Sequence, residues 1–201
     1  MTTQQESAVD THHAHHANHG NDKHLNKMAA SATLHCLTGC AIGEIAGLII
    51  GAAFGLSTMT TVALAIVLAF IFGFTLSTLP LRKAGLGFFA ALSIVFAADT
   101  LSIATMEIVD NLVMLIIPGA MAAGLVDPIF WLSMSLALVI AYAAAYPVNR
   151  YLLTKGKGHA LVMKYHHGHD HQHTGGTKSL LWGLVGFFLG GLLVSLAAAF
   201  A

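Results

Sequence analysis

The stretch Thr33–Leu56, TLHCLTGCAIGEIAGLIIGAAFGL, decides the fold. It exceeds the roughly 20 residues that carry a helix across a bilayer, and its one formal charge is Glu44. Four runs of similar character follow, at Thr60–Leu79, Leu86–Ile117, Pro128–Tyr146 and Ser179–Ala201. Between Met28 and Tyr146 the charged residues are Glu44, Arg82, Lys83, Asp99, Glu107, Asp110 and Asp127 and no others. Over all 201 residues, nine basic and nine acidic side chains make 9% of the chain, against about 25% in a soluble domain. That is too few to coat a surface in water. The composition excludes a soluble globular protein and predicts an all-α polytopic membrane bundle of five transmembrane helices.

The charge distribution orients the bundle. With five crossings and a cytoplasmic amino end, Lys23, Lys27, Arg82, Lys83, Arg150, Lys155, Lys157, Lys164 and Lys178 all fall inside, as the positive-inside rule favours. Splitting the long third run, Leu86–Ile117, into two crossings would set Arg150 and the lysines after it on the opposite side from Arg82. One long third helix is therefore expected, tilted or broken, ending at Pro118-Gly119, with Asp127-Pro128 starting the fourth. The expected organisation is a disordered His-rich tail at 1–27 and a four-helix membrane core at 28–153. A His-rich cytoplasmic loop at 154–178 and a fifth transmembrane helix at 179–201 complete it. Met1–Lys27 has no apolar core of the kind a cleavable signal peptide needs, so a multi-pass protein of the inner (plasma) membrane is expected.

Within the opening stretch, Cys36, Cys40 and Glu44 are spaced i, i+4, i+8, which stacks them along one slowly turning helix face, with His35 adjacent. Glycine recurs every fourth residue at Gly39, Gly43, Gly47, Gly51 and Gly55, a pattern that lets another helix approach closely. From Gly43 onward these glycines are expected on the same side as the thiols and the carboxylate. A disulfide between cysteines one turn apart on a straight helix does not suit disulfide geometry, whereas two thiols beside an imidazole suit a soft or borderline ion such as Cu⁺ or Zn²⁺. The bland alternative is small apolar filler.

On the third run Asp99, Met106, Asp110 and Met114 share a face, with Glu107 at its edge. Counting from the inner ends of the apolar runs puts Glu44 and Asp99 at similar depth. No Lys or Arg within the bilayer is available to neutralise these acids, so they need a proton, hydrogen bonds or a bound cation. The expected metal-ligating set is His35, Cys36, Cys40, Glu44, Asp99, Met106, Glu107 and Asp110. Methionines are more often core packing, and Asp110 can simply serve the helix end. On the fifth run, Gly183, Gly186 and Gly190 make a second small-residue face that could pack within a monomer or between subunits.

Thirteen histidines exceed the nine Lys and Arg. His12, His13, His15, His16 and His19, with His24, precede the first helix; His166, His167, His169, His171 and His173 precede the fifth. Short His-rich tracts read as metal-buffering segments, or alternatively as solvated tails that respond to pH.

The runs LHCLTGCAIGE and DTLSIATMEIVDNLVMLIIPGAM, the pairs Asp127-Pro128 and Phe130-Trp131, and PVNRYLL followed by GKGHA resemble a bacterial membrane-protein family known only as a domain of unknown function. The resemblance spans about Leu25 to Ala160, with the last helix less distinct, and HC-xxx-C-xxx-E is its most specific motif. His35, Cys36, Cys40, Glu44, Asp99, Glu107, Pro118, Asp127, Pro128, Pro147, Asn149 and Arg150 occupy positions of that pattern. It implies a small polytopic membrane protein linked to copper handling, and supplies no established activity.

The expected function is binding and transport of a transition-metal ion, copper first and zinc or another divalent ion second, with the bilayer and the ion as partners, a homo-oligomer possible and no nucleic acid. The alternatives are a membrane redox protein or a metal chaperone or sensor using Cys36 and Cys40. Bis-His haem within one chain is disfavoured, because His35 is the only histidine of the membrane core. No nucleophile with an orienting base, phosphate loop or hydrolase motif occurs, so an enzyme is not expected.

Overall fold

The computed structural model describes residues 3–83, 85–155 and 173–200. Five helices follow one another: α1 (Thr3–Ala53), α2 (Thr58–Lys83), α3 (Phe88–Ile116), α4 (Pro128–Thr154) and α5 (His173–Ala199), with a 3-10 turn at Ala120–Ala122 between α3 and α4. No strand forms among the described residues. Four helices contain spans long and apolar enough to cross a membrane: Asp22–Ala53, Thr58–Leu79, Pro128–Thr154 and Thr177–Ala199. The third run makes a fifth when its halves, Phe88–Ala97 and Asp99–Ile116, are taken as one span bent by 53°.

Turn chemistry separates the helices as the residues dictate. Gly55, at φ +62°, stops α1, and Leu56 N–H reaches back to the Gly51 carbonyl (2.9 Å). The Ser57 hydroxyl then accepts from Thr60 N–H to open α2. Gly85 (φ +92°) plays the same stopping role after α2. Pro118-Gly119 ends α3, with Gly119 at φ +83°, and Asp127 caps α4 by accepting from Ile129 N–H (3.0 Å) with Pro128 at the first helical position.

The helices extend beyond the apolar runs at two places. Helix α1 carries on through the stretch that holds His12, His13, His15, His16 and His19, where the sequence reading expects disorder. A nucleated helix extends at little cost per residue, and the tract contains no proline. Helix α5 likewise starts at His173, ahead of the expected boundary at 179. His166, His167, His169 and His171 lie outside the described residues.

Helix α1 is central and touches each of the other four. Its glycine row forms the closest seam. A Cβ placed on Gly39, Gly43, Gly47 or Gly51 would lie 2.5, 2.2, 2.5 or 2.4 Å from Gly73, Ala69, Ala65 or Thr61 of α2. Small residues thus face small residues in antiparallel register, the close approach that membrane helices use in place of hydrophobic association.

Within the chain the second glycine face is not the one that packs. Added Cβ atoms on Gly183, Gly186 and Gly190 meet nothing within 4 Å, whereas one on Gly191 would strike the Trp131 ring at 2.4 Å. Trp131 docks α5: its ring meets Phe187 and Phe188 edge-on at 5.7 and 5.6 Å between centroids, while its indole N–H donates to the Leu125 carbonyl (2.8 Å).

At the opposite end, polar pairs fasten the helices. Asn149 Nδ2 donates to Thr33 Oγ1 (2.8 Å), whose own hydroxyl donates to the Ala29 carbonyl (2.7 Å). Arg150 Nε donates to Asn26 Oδ1 (2.8 Å), and the Ser31 and Thr177 hydroxyls pair at 3.0 Å. Hydrogen bonds between membrane helices contribute about 0.6 kcal/mol on average and ~1.7 at most. Asn149→Ala should cost within that range in an unfolding titration in mixed micelles; a cost several times larger would make the Asn149–Thr33 pair the principal fastening of α4.

Candidate functional site

The i, i+4, i+8 spacing on α1 puts Cys36, Cys40 and Glu44 at successive turns, each about 6 Å further along the axis. All three are buried. They face α3, which runs alongside in the same direction, so each meets a different turn of it. Cys36 lies beside Asp99 and Ser102 of α3 and Ser77 of α2. Cys40 lies beside Glu107. Glu44 lies beside Asp110 and Glu107. Met106, 1% exposed, packs in the same buried cluster as the two cysteines.

The result is a column of pairs along the α1/α3 seam. Cys36 with Asp99 stands at one end, Cys40 with Glu107 in the middle, and Glu44 with Asp110 at the other end. Among the described residues no three His, Cys, Asp or Glu side chains stand close enough to hold one ion. This corrects the expectation of a single His35-Cys36-Cys40-Glu44 unit. One turn of rise separates successive groups, and His35 points elsewhere: it is half-buried and its Nδ1 donates to the Ser31 carbonyl (2.9 Å).

The expected pairing in depth is corrected too. Asp99 stands level with Cys36, not Glu44, because the span of α1 begins at Asp22, well before the apolar run, and α3 bends just before Asp99. The expected coincidence of faces also gives way: the glycines look to α2, while the thiols and carboxylate line the seam with α3.

While the acids are ionised, the buried oxygens of Glu44 and Glu107 and Oδ1 of Asp110 find no hydrogen-bond donor among the described residues beyond the Cys40 thiol beside Glu107; a proton shared between Glu44 and Asp110 would pair those two, and the Ser77 and Ser102 hydroxyls face the Cys36 thiol. A buried polar group left so is costly unless something occupies the space beside it. Cys36 and Cys40 are both free thiols.

Beyond Glu44 the seam opens into a cavity of about 60 Å³, lined among others by Glu44, Asp110, Asn111 and Thr61. On this measure a water needs roughly 10–15 Å³, so there is room for a few waters or a partly hydrated ion. Ser77 and Thr61 escape the sequence reading. A signal for Ser77 existed: in the antiparallel register that sets Gly39 against Gly73, Cys36 falls opposite residues 76 and 77.

The family described as Domain of unknown function (DUF4396) matches residues 25–158, and the chain belongs to it. The matched range takes in the column of pairs from Cys36 to Asp110 and leaves α5 outside. No curated protein matches the chain, and no solved structure does.

Proposed function

We propose, for this member of a family without an assigned activity, that the protein passes a cation across a bacterial inner membrane along the α1/α3 seam and is not an enzyme. One observation carries the reading: the buried carboxyls of Glu44, Glu107 and Asp110 have, among the described residues, no side-chain partner beyond the Cys40 thiol and one another, in a column that begins at two free thiols. Acids buried in a membrane bundle are expensive and mark ion or proton paths. Successive pairs one turn apart suit passage better than storage, because no level closes a full coordination shell. The thiols and Met106 favour a soft ion, Cu⁺ first, with Zn²⁺ second. Lys and Arg gathered at or beyond one set of span ends favour a cytoplasmic amino end, which would place the His tracts on the cytoplasmic side as buffers.

A second reading, a proton path, is favoured by the carboxyls of Glu44, Glu107 and Asp110 standing beside one another. Elemental analysis of the full chain purified without added metal separates the two. The metal reading expects copper or zinc at a fixed ratio to protein, retained when the His tracts are deleted and lost in Cys36→Ser and Cys40→Ser. Metal held by the His tracts alone, with the core empty, would leave the proton reading.

A further inference from the structure

Three of the chain's eight methionines, Met114 of α3, Met121 of the 3-10 turn and Met134 of α4, line the same cavity as Glu44 and Asp110. From these five side chains we infer that this end of the seam is a second, separate binding site for a soft monovalent cation, Cu⁺ or Ag⁺, held by thioethers and neutralised by carboxylate. The inference deepens the cation reading above and rests on it for the ion's onward path.

Methionine ordinarily fills gaps, since its flexible thioether adapts to irregular cores. Here the gap persists. About 60 Å³ stays open among three such side chains, beside two carboxylates that are each more than nine-tenths buried. Glu44 and Asp110 stand beside each other, and while both are ionised neither Glu44 oxygen nor Asp110 Oδ1 finds a hydrogen-bond donor among the described residues. An apolar filler would leave those oxygens unsatisfied, whereas a cation with residual water would satisfy them.

Ligand softness sets the selectivity. A neutral thioether is a poor donor to Zn²⁺ or Mg²⁺ and a good one to Cu⁺ and Ag⁺. One carboxylate balances a single positive charge. The methionines come from three different elements, so the site forms only when α3, α4 and their connection are folded together. It lies one helical turn or more from Cys40, and so does not share the thiols.

The test uses the full chain in detergent micelles, with Ag⁺ as the redox-inert probe and Zn²⁺ as the hard comparison. In protein labelled at the methionine methyl carbons, Ag⁺ should shift the methyl resonances of Met114, Met121 and Met134, and Zn²⁺ should not. In parallel, the triple variant Met114→Leu, Met121→Leu, Met134→Leu, nearly volume-conserving, should bind roughly one Ag⁺ fewer per chain while keeping its helical signal. The double variant Cys36→Ser, Cys40→Ser should keep the methyl shifts and lose only the thiol-dependent ion.

The outcomes separate the two ideas. Unmoved methyl resonances in the wild-type protein overturn the inference whether or not the triple variant folds, as does an equal response to Zn²⁺. If the methyls stay still while the cysteine variant loses its ion, this site fails and the proposed function stands. If the methyls move while cysteine replacement changes nothing, the thioether site stands and the thiol end of the path fails.

Discussion

Gly43→Leu should abolish the folded protein, leaving no monodisperse peak in detergent size-exclusion chromatography. Even a bare Cβ at this position lies 2.2 Å from the Ala69 nitrogen and 2.3 Å from its Cα. Backbone atoms cannot rotate away, so the two central helices must separate. Overpacking typically costs about 1–3 kcal/mol when side chains can adjust, and here they cannot. The neighbouring Ile42→Leu, at a position 41% exposed, should leave the peak unchanged. A pair of double variants tests the geometry more finely. Gly51→Ala strikes the Thr61 side chain, so Thr61→Gly should restore it in part; Gly43→Ala should gain nothing from Ala69→Gly, because the obstacle there is main chain. Equal rescue at both positions would contradict the register.

Glu107→Gln and Glu44→Gln should lower ion uptake into proteoliposomes by roughly tenfold or more, a rise of at least 1.4 kcal/mol in the barrier. An amide keeps the shape of the side chain and cannot neutralise a passing cation. Stability should move the other way or not at all. The amide keeps an acceptor for the Cys40 thiol beside Glu107 and a donor for Asp110 beside Glu44, and a neutral amide is cheaper to bury than a carboxylate. Thermal unfolding of the same preparations therefore decides the matter: if uptake and stability fall together, these carboxyls hold the bundle rather than serve a path.

Much of the architecture is readable from local pattern. The five apolar runs, the stop at Pro118-Gly119, the cap at Asp127-Pro128 and the glycine row of α1 are all properties of short windows, and the helices form where those windows say. The relation between helices is less readable. Depth counted from the edges of apolar runs pairs Asp99 with Glu44, yet α1 continues past its apolar edge toward its amino end and α3 bends beside Asp99, so the true partner is Cys36. Gly183, Gly186 and Gly190 make a small-residue face by spacing, while the α5 glycine that packs within the chain is Gly191, chosen by the position of an indole on another helix. Met114, Met121 and Met134 share no spacing, because their meeting is a fact of three-dimensional packing.

The register of α1 against α2 has a consequence for how the chain can change length. Gly39, Gly43, Gly47 and Gly51 meet Gly73, Ala69, Ala65 and Thr61 in strict succession. Adding or deleting one residue within that row would turn everything beyond it by about 100° and bring side chains such as Leu48 or Ile50 into a space sized for hydrogen. A four-residue change shifts the face by only about 40° and preserves most of the fit. Length variation in this hairpin is therefore quantised: tolerated in the turn around Gly55, permitted in whole helical turns if matched on both helices, and forbidden in between.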